Sequence, residues 1–393
     1  MVLWALPRTA ISYDLNAWSD VAGLLATGQN PYNLRPYLSW APAWMQIIFF
    51  LDLLARGLAL PVTLVIRIFL ILADGVGVLL AGRLIRRIAP ISVLWPLLVG
   101  WSLNPIPILL VCQHGNFDGL VAICILMMLL ATIEFIERRD PVVWLWACGW
   151  LGMGVVLKTI PIVLAPLLAA ARRLSGRTLA LGALLVAGPA LYGLSIIYAL
   201  GPGPVRAQVI GYRSLPGFFG ATGLLKIAGK ESWVPAYRAA FALALLASMA
   251  WLVLRLRERI SPRGCILAAT LVLVAIPALG PGYGAQYLAW SLPLLLVLWS
   301  IGDRRTRRVL AVFGTVAVLT YAVDYALMYS HGGFLRAAAG DDPTVLRYSR
   351  LLATPQAATL ERLPLFAAYL VLIFHLVGAT RRELDSAPRT MPR

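Results

Sequence analysis

The sequence predicts an all-α, polytopic membrane protein, and three observations support this fold class. Hydrophobic residues make up 60% of the 393-residue chain, only 13% of its residues are charged, and its mean hydropathy is +0.82. Apolar stretches of about 20 residues, the length that crosses a bilayer as a helix, recur along it. Runs of arginine separate these stretches at every second loop. Because backbone groups inside a bilayer must be satisfied internally, we expect a single transmembrane domain of helices over residues 1–393.

The hydropathy pattern predicts about eleven membrane helices. We place them near 62–82, 91–111, 119–136, 142–157, 160–171, 178–200, 236–254, 264–280, 287–301, 309–330 and 364–379. The apolar start, residues 1–11, is too short to cross, since at about 1.5 Å per residue it reaches only about half of the roughly 30 Å core. We therefore expect a twelfth helix, the first of the bundle, upstream of residue 1.

Residues 43–57 precede the first full span and cannot cross the membrane themselves. The span 62–82 must start on the outer side if Arg83 is to lie inside. We therefore predict that 43–57 forms an amphipathic helix in the outer interface. It would belong to an outer loop that extends over 1–61, with the transmembrane bundle following over 62–393.

The arginine runs predict the orientation of the bundle. They lie at 83–87, 138–139, 172–177, 255–263, 304–308 and 381–393. An excess of basic residues marks cytoplasmic loops, so these loops are expected inside. The loops 1–61, 201–235 and 331–363 then face away from the cytoplasm, as in a multi-pass protein of a bacterial-type plasma membrane. We expect the active site on that non-cytoplasmic side.

Net charge and cysteine usage exclude other classes of protein. The net charge of +17 would indicate a nucleic-acid partner in a soluble chain, but here the arginines lie in short loops between apolar spans. No phosphate-binding glycine loop or HExxH motif is present, so we predict no cofactor, and a divalent metal is not supported. The four cysteines have no CxxC spacing and are predicted to be small core residues: Cys112, Cys124, Cys148 and Cys265.

Two aspartates, Asp14 and Asp20, lie in the first outer loop near the membrane boundary. One of them could act as a general base or a metal ligand. Alternatively, both could be anions at the N-terminus of a helix that starts near Leu15, where negative charge is favourable. They are six residues apart, so on a straight helix they differ by about 240° and cannot face one pocket.

A second polar cluster, residues 113–119, separates two apolar spans. It contains Gln113, His114, Asn116 and Asp118, and it follows Asn104-Pro105-Ile106-Pro107, which should break the preceding helix. The cluster could be an ordinary turn with a helix cap. Because polar groups at membrane depth are costly, it is equally a candidate site.

Lys158 stands between two apolar stretches, and the second of these, 160–171, has too few residues for a full crossing. Its ammonium is therefore expected below the outer surface, where it needs an anionic partner. That partner could be a structural carboxylate such as Asp118. It could equally be a phosphate of a bound ligand.

Two further outer segments carry polar and aromatic residues. In the basic loop around Tyr212 and Arg213, most cations are expected to contact lipid headgroups, but glycines and aromatics surround Arg213 as in a shaped pocket. The turn 280–290 contains Tyr283, Gln286 and Tyr287. Its aromatics could form an interfacial belt, to which Gln286 adds a hydrogen-bonding group.

These elements, in this order, resemble the GT-C superfamily of polyprenyl-phosphate-sugar-dependent glycosyltransferases, and most nearly glycosyltransferase family 87 with its mannosyltransferase relatives. The family has a first helix before its catalytic aspartate, which fits the helix expected upstream of residue 1. Many members have Tyr-Pro-Pro where this chain has Trp40-Ala41-Pro42. The matching stretches are Asp14 to Tyr32 with its Gly-x-x-Pro-Tyr ending, Trp40-Ala41-Pro42, Asn104 to Gly119, Leu157 to Pro161, Tyr212 to Gly220 and Gly280 to Trp290.

The resemblance implies a GT-C-like fold with Asp14 as the catalytic carboxylate. It also implies transfer of a hexose, with mannose expected, from a polyprenyl-phosphate donor to a lipid or glycan acceptor, with inversion. Cationic and hydrogen-bonding groups would hold the departing phosphate, for which we expect Lys158, Arg213, His114 and Gln113. We expect the substrate pocket to include Asp20, Tyr32, Trp40, Asn116, Asp118, Tyr212, Tyr283, Gln286 and Tyr287.

Two other functions remain open from the sequence. A transporter or flippase of a lipid-linked glycan would also be polytopic, but such proteins tend to show paired repeats and broken midplane helices, and no repeat is evident. A non-catalytic assembly factor would leave the outer polar clusters unexplained.

Overall fold

The computed structural model describes residues 13–34, 40–88, 94–169, 174–200, 203, 206, 216–258, 261–282, 284–328 and 342–386. Within these ranges every regular element is helical, which confirms the all-α class. The α-helices are α1 (Tyr13–Ala26), α2 (Pro31–Leu34), α3 (Pro42–Gly57), α4 (Val62–Ile88), α5 (Leu94–Ser102), α6 (Pro105–Pro107), α7 (Asp118–Arg138), α8 (Pro141–Leu157), α9 (Ala165–Ala169), α10 (Gly176–Leu200), α11 (Gly220–Ile227), α12 (Val234–Glu258), α13 (Pro262–Leu279), α14 (Leu292–Ile301), α15 (Arg304–Val323), α16 (Pro343–Leu352), α17 (Pro355–Glu361) and α18 (Leu363–Ser386).

Seven helical segments among the described residues are long and apolar enough to cross a membrane, as in a multi-pass membrane protein. They are Val62–Ile88, Asp118–Arg138, Gly176–Ile196, Glu231–Leu256, Pro262–Leu279, Arg304–Ala326 and Leu363–Ser386. Each coincides with one predicted span. The other four predicted spans, 91–111, 142–157, 160–171 and 287–301, contain shorter or interrupted helices. The structure therefore supports seven crossings by length and composition, and eleven remains a prediction.

The interruptions have local causes in the sequence. Between α5 and α6 the side chain of Asn104 accepts a hydrogen bond from the backbone N–H of Ile106 at 3.0 Å, and prolines follow at 105 and 107. This confirms the predicted helix break. A π-helical turn, Ile108–Gln113, continues from α6. After α8 the backbone of Lys158 is extended, and a short 3₁₀ turn, Ile160–Leu164, precedes α9.

Helix α7 runs between two ends of the bundle that carry different charged groups. It contains 21 residues and is therefore about 31 Å long. At its start Asp118 pairs with Lys158, whereas near its other end Glu134 accepts a hydrogen bond from Arg87 at 2.8 Å. We call these the polar end and the arginine end. Along α7, Asp118 of the polar cluster 113–119 is thus separated from Arg87 of the first arginine run, as predicted.

Helix α3 forms where the interfacial helix was predicted. One face packs into the protein through Trp44 and Ile48. The side chains exposed on the other face include Phe50, Leu53 and Leu54, so that face is also apolar. An interfacial helix lays its apolar face against the acyl chains, and this exposed surface suits such contact. The interfacial location of α3 remains a prediction.

A separate apolar cluster attaches α1 to the bundle. Trp18 of α1 packs edge-on against Trp44 of α3, with ring centroids 4.9 Å apart, and Trp44 stacks on Phe117 at 4.7 Å. Leu15 is also completely buried in this cluster. Full burial of aromatic side chains contributes several kcal/mol, roughly 25 cal/mol per Å². This packing fixes the helix that carries Asp14 beside the start of α7.

Candidate functional site

The turn before α7 connects the polar groups at this end of the bundle. The side chain of Asn116 accepts a hydrogen bond from the backbone N–H of Asp118 at 2.8 Å, which fixes the first residue of the helix. Gly115 has a φ of 70°, a conformation that favours glycine. A Cβ atom at this position would also lie 2.7 Å from Leu15 side-chain carbons. Glycine is thus required for the turn and for the close approach of α1.

This approach places Asp14 in a chain of hydrogen bonds with His114 and Tyr325. The Nε2 atom of His114 lies 2.8 Å from Oδ2 of Asp14, and its Nδ1 atom lies 2.8 Å from the Tyr325 hydroxyl. The His114 side chain is 2% exposed and the Asp14 side chain is 17% exposed. The carboxylate therefore lies at the margin of the protein interior and is supported from the inside.

The chemistry of the three groups sets the direction of the hydrogen bonds. A carboxylate can only accept, so the Nε2–H of His114 donates to Asp14. With a neutral imidazole, the Nδ1 atom accepts from the Tyr325 hydroxyl. Both ring nitrogens are used in this arrangement. The phosphate contact expected of His114 stays a prediction, and it would require one of these two hydrogen bonds to break.

Tyr325 did not emerge as a site residue from the sequence. It belongs to a π-helical turn, Asp324–Met328, that continues α15. The adjacent polar residues 324 and 325 lie inside the predicted apolar span 309–330. Polar groups in such a span are costly and so were a signal of function that could have identified Tyr325.

Two other predicted pocket residues of the first loop have different surroundings. Asp20 is exposed, whereas Asp14 on the same helix is half-buried beside His114. Tyr32 is buried, and its hydroxyl donates a 2.7 Å hydrogen bond to the backbone carbonyl of Trp40. Burial raises the pKa of the Tyr32 hydroxyl. Tyr32 therefore positions Trp40, whose ring lies edge-on against Trp18 at 5.7 Å.

Lys158 and Asp118 form an ion pair at the polar end. The ammonium donates to both carboxylate oxygens, at 2.7 and 3.0 Å. The Asp118 side chain is 1% exposed and that of Lys158 is 26% exposed. Of the two partners considered for Lys158, the carboxylate is present in the structure. The pair is buried on one side and reaches open space on the other.

Aromatic rings surround the ammonium of Lys158. It lies 5.6 Å from the ring centroid of Phe117, 5.4 Å from that of Tyr287 and 5.1 Å from that of Trp290. The last two rings stack on each other at 4.5 Å within the 3₁₀ turn Ala285–Trp290. Cation–π contacts of this kind stabilise a desolvated ammonium by roughly 0.5–2 kcal/mol each.

Beside this pair lies a cavity of about 300 Å³. Its lining combines five parts of the chain that are distant in sequence: the residues just before α3, the residue before α7, the end of α8, one residue of α12, and the end of α13 with the turn after it. The residues around it are Trp40, Ala41, Phe117, Leu157, Lys158, Thr159, Ile160, Phe241, Ile276, Gly280, Pro281, Gly282, Gln286, Tyr287 and Trp290. Phe117, Phe241 and Trp290 were not among the predicted site residues, since single aromatic residues in apolar spans are usually core residues.

A second buried ion pair lies close to this chain of hydrogen bonds. Arg362 donates to Asp324 from Nε at 3.1 Å and from Nη2 at 2.8 Å, and its Nη1 donates to the backbone carbonyl of Phe218 at 3.1 Å. Neighbouring Glu361 is largely buried, which raises its pKa to about 7, and the negative charge of Asp324 adds to the rise. This cluster connects the π-helical turn to α17 and to the segment before α11.

Four predicted site positions cannot be placed in this geometry. Tyr212, Arg213 and Tyr283 lie outside the described residues. Gln113 ends the π-helical turn Ile108–Gln113, and its side chain is also outside what the structure describes. Within the described ranges, no three His, Cys, Asp or Glu side chains form a group that could hold a metal ion.

No protein-family model matches this chain, and a comparison with curated proteins found no match.

Proposed function

We propose that this protein is an integral membrane glycosyltransferase of GT-C-like fold that transfers a hexose, mannose being expected, from a polyprenyl-phosphate donor to a lipid or glycan acceptor. The observation that carries this proposal is the half-buried carboxylate of Asp14, held by His114 and Tyr325 beside the aromatic polar end. The site lies at the end of α7 away from Arg87, which supports a reaction on the non-cytoplasmic face.

The reaction needs one base and a place for the leaving group. The acceptor hydroxyl oxygen attacks the anomeric carbon while the bond from that carbon to the phosphate oxygen breaks. Asp14 takes the proton of the hydroxyl, and polyprenyl phosphate leaves with the electron pair. Because phosphate is already a good leaving group, no general acid is required. A single displacement inverts the anomeric configuration.

His114 and Tyr325 supply orientation in this mechanism. Their hydrogen bonds hold Oδ2 of Asp14 in one position, so the carboxylate loses little freedom when the acceptor binds. For the departing phosphate we propose Arg213, one of the four residues for which the sequence predicts a phosphate contact. Apolar surface between helices would accommodate the polyprenyl chain.

Asp14→Asn tests the proposal directly. The amide keeps the size of the side chain but cannot take a proton, so transfer should fall by roughly 100-fold or more. Purified protein in detergent would be incubated with polyprenyl-phosphate mannose and a membrane lipid extract, and mannosylated lipid would be measured. Asp20→Asn on the same helix is the matched control and should keep most activity, since Asp20 is exposed.

Two results would overturn the proposal. Full transfer by Asp14→Asn would show that Asp14 is not the base. Movement of the intact lipid-linked sugar across vesicles, with no transfer by the wild-type protein, would identify a flippase instead.

A further inference from the structure

The cavity beside Lys158 has the size and charge of a site for a single neutral ring. Its volume of about 300 Å³ is at the lower end of the range of roughly 300–1,000 Å³ for ligand pockets. Among its described lining residues Lys158 alone carries a formal charge. Two hydrogen bonds to Asp118 compensate that charge, so the described pair is neutral overall.

A phosphate group fits the lining of this cavity poorly. Anion sites present an excess of N–H donors and positive charge. Here the ammonium of Lys158 lies within hydrogen-bond distance of both carboxylate oxygens of Asp118, and that carboxylate would repel a phosphate placed on the same ammonium. A neutral hydroxyl can instead accept a hydrogen bond from the ammonium without adding a second negative charge.

The remaining lining suits a pyranose. Rings of Trp40, Phe117, Phe241, Tyr287 and Trp290 surround the cavity, and aromatic faces pack against the C–H face of a sugar. Gln286 also lines it, and its buried side-chain carbonyl has no hydrogen-bond partner among the described residues. A hydroxyl can both donate to such a carbonyl and accept from Lys158, whereas a fully ionised phosphate only accepts.

From these observations we infer that this cavity binds the pyranose ring of a neutral sugar, and that Lys158 contacts a sugar hydroxyl and not the donor phosphate. The inference rests on the proposed function for its substrate class. It replaces the phosphate contact that the sequence predicted for Lys158 and leaves the phosphate outside the cavity.

Ligand-observed NMR on the full chain in detergent tests this assignment without any activity assay. The probes are methyl α-D-mannopyranoside, followed by saturation-transfer difference, and inorganic phosphate, followed by ³¹P line width. The glycoside should show saturable transfer in the millimolar range, because so small a ligand has little surface to bury. Phosphate should show no broadening that depends on Lys158.

Two variants locate the glycoside. Gln286→Ala should weaken its binding at least threefold, whereas Gln356→Ala, an exposed glutamine on α17, should leave it unchanged. Lys158→Met combined with Asp118→Asn, which leaves no unpaired charge in the wall, should also weaken it. Absence of saturation transfer in the wild-type protein would overturn the inference. So would ³¹P broadening that the double variant removes, since phosphate would then be the occupant.

Asp14→Asn separates this inference from the proposed function. The variant should bind the glycoside normally, because binding requires no base. If it also transfers sugar at the full rate, Asp14 is not the base that the proposed mechanism requires, while the cavity assignment stands. If the wild-type protein transfers sugar but shows no glycoside binding, the cavity assignment alone fails.

Discussion

Two buried ion pairs at the polar end, Lys158–Asp118 and Arg362–Asp324, differ in what surrounds them. The Arg362 side chain is 5% exposed and its guanidinium hydrogen-bonds to Asp324 and to a backbone carbonyl. The Lys158 side chain is 26% exposed and borders a cavity. A pair enclosed by the protein holds helices together, whereas a pair at a cavity wall also presents hydrogen-bonding groups to a ligand. The comparison teaches that burial of charge alone does not identify a site.

Replacing the basic residue of each pair should give the largest difference in stability between the two pairs. Arg362→Met removes the guanidinium from the fully buried Asp324 and should lower the free energy of unfolding by about 3–5 kcal/mol. Lys158→Met should cost less, about 1–3 kcal/mol, because Asp118 lies at the favourable N-terminus of α7 and next to open space. Thermal unfolding in detergent would measure both. Equal losses would show that the two environments are equivalent.

Replacing both members of each pair sharpens the comparison. Asp324→Asn with Arg362→Met and Asp118→Asn with Lys158→Met remove charge without leaving a lone ion, so both proteins should regain most of their stability. Sugar transfer should fall by roughly 100-fold only in the variant at the cavity, since the charged hydrogen bond from Lys158 to the substrate is lost there. Transfer from the lipid-linked donor is the measurement. A comparable fall in the other double variant would place the Arg362 pair in the reaction as well.

A smaller effect on catalysis is expected at Tyr325, which follows Asp324 in sequence and hydrogen-bonds to His114. Tyr325→Phe removes the donor to Nδ1 of His114, so kcat should fall about 10-fold with KM unchanged. ¹⁵N NMR of the histidines should show less of the Nε2-protonated tautomer at His114. Tyr321→Phe is the control, since this buried tyrosine stacks beside Tyr325 at 6.2 Å. A change in stability without a change in the His114 tautomer would show that Tyr325 contributes only to packing.

The smallest effect concerns Glu361, beside the Arg362–Asp324 pair, and the pH dependence of the free energy of unfolding. The pKa of Glu361 is raised from 4.5 to about 7, so the folded state favours its protonated form. Stability from this group is therefore present below about pH 4.5 and is lost as the pH rises through 7. Glu361→Gln should remove that dependence and raise stability at pH 8 by the order of 1 kcal/mol, or about 2 °C in Tm. Identical unfolding curves for the variant and wild type at pH 5 and pH 8 would contradict this.

Much of the architecture follows from local sequence. The all-α class and the positions of seven membrane helices could be predicted because hydropathy acts over about 20 residues at a time. The helix break at Asn104 depends on its neighbouring prolines. The polar character of the turn 113–119 was equally visible. Local patterns also placed α3, but its packing against α1 and α4 decides which of its faces is covered.

The partners of the site residues were decided only by the tertiary structure. His114 and Tyr325 are 211 positions apart, and no spacing rule connects them. For Lys158 the sequence left a carboxylate and a phosphate equally open, and the packing of α8 against α7 brings Asp118 within 2.7 Å. The sequence alone determined which residues were too polar for their surroundings. Their pairing depends on how each helix is rotated and how closely it approaches its neighbours, and only the packed bundle fixes both.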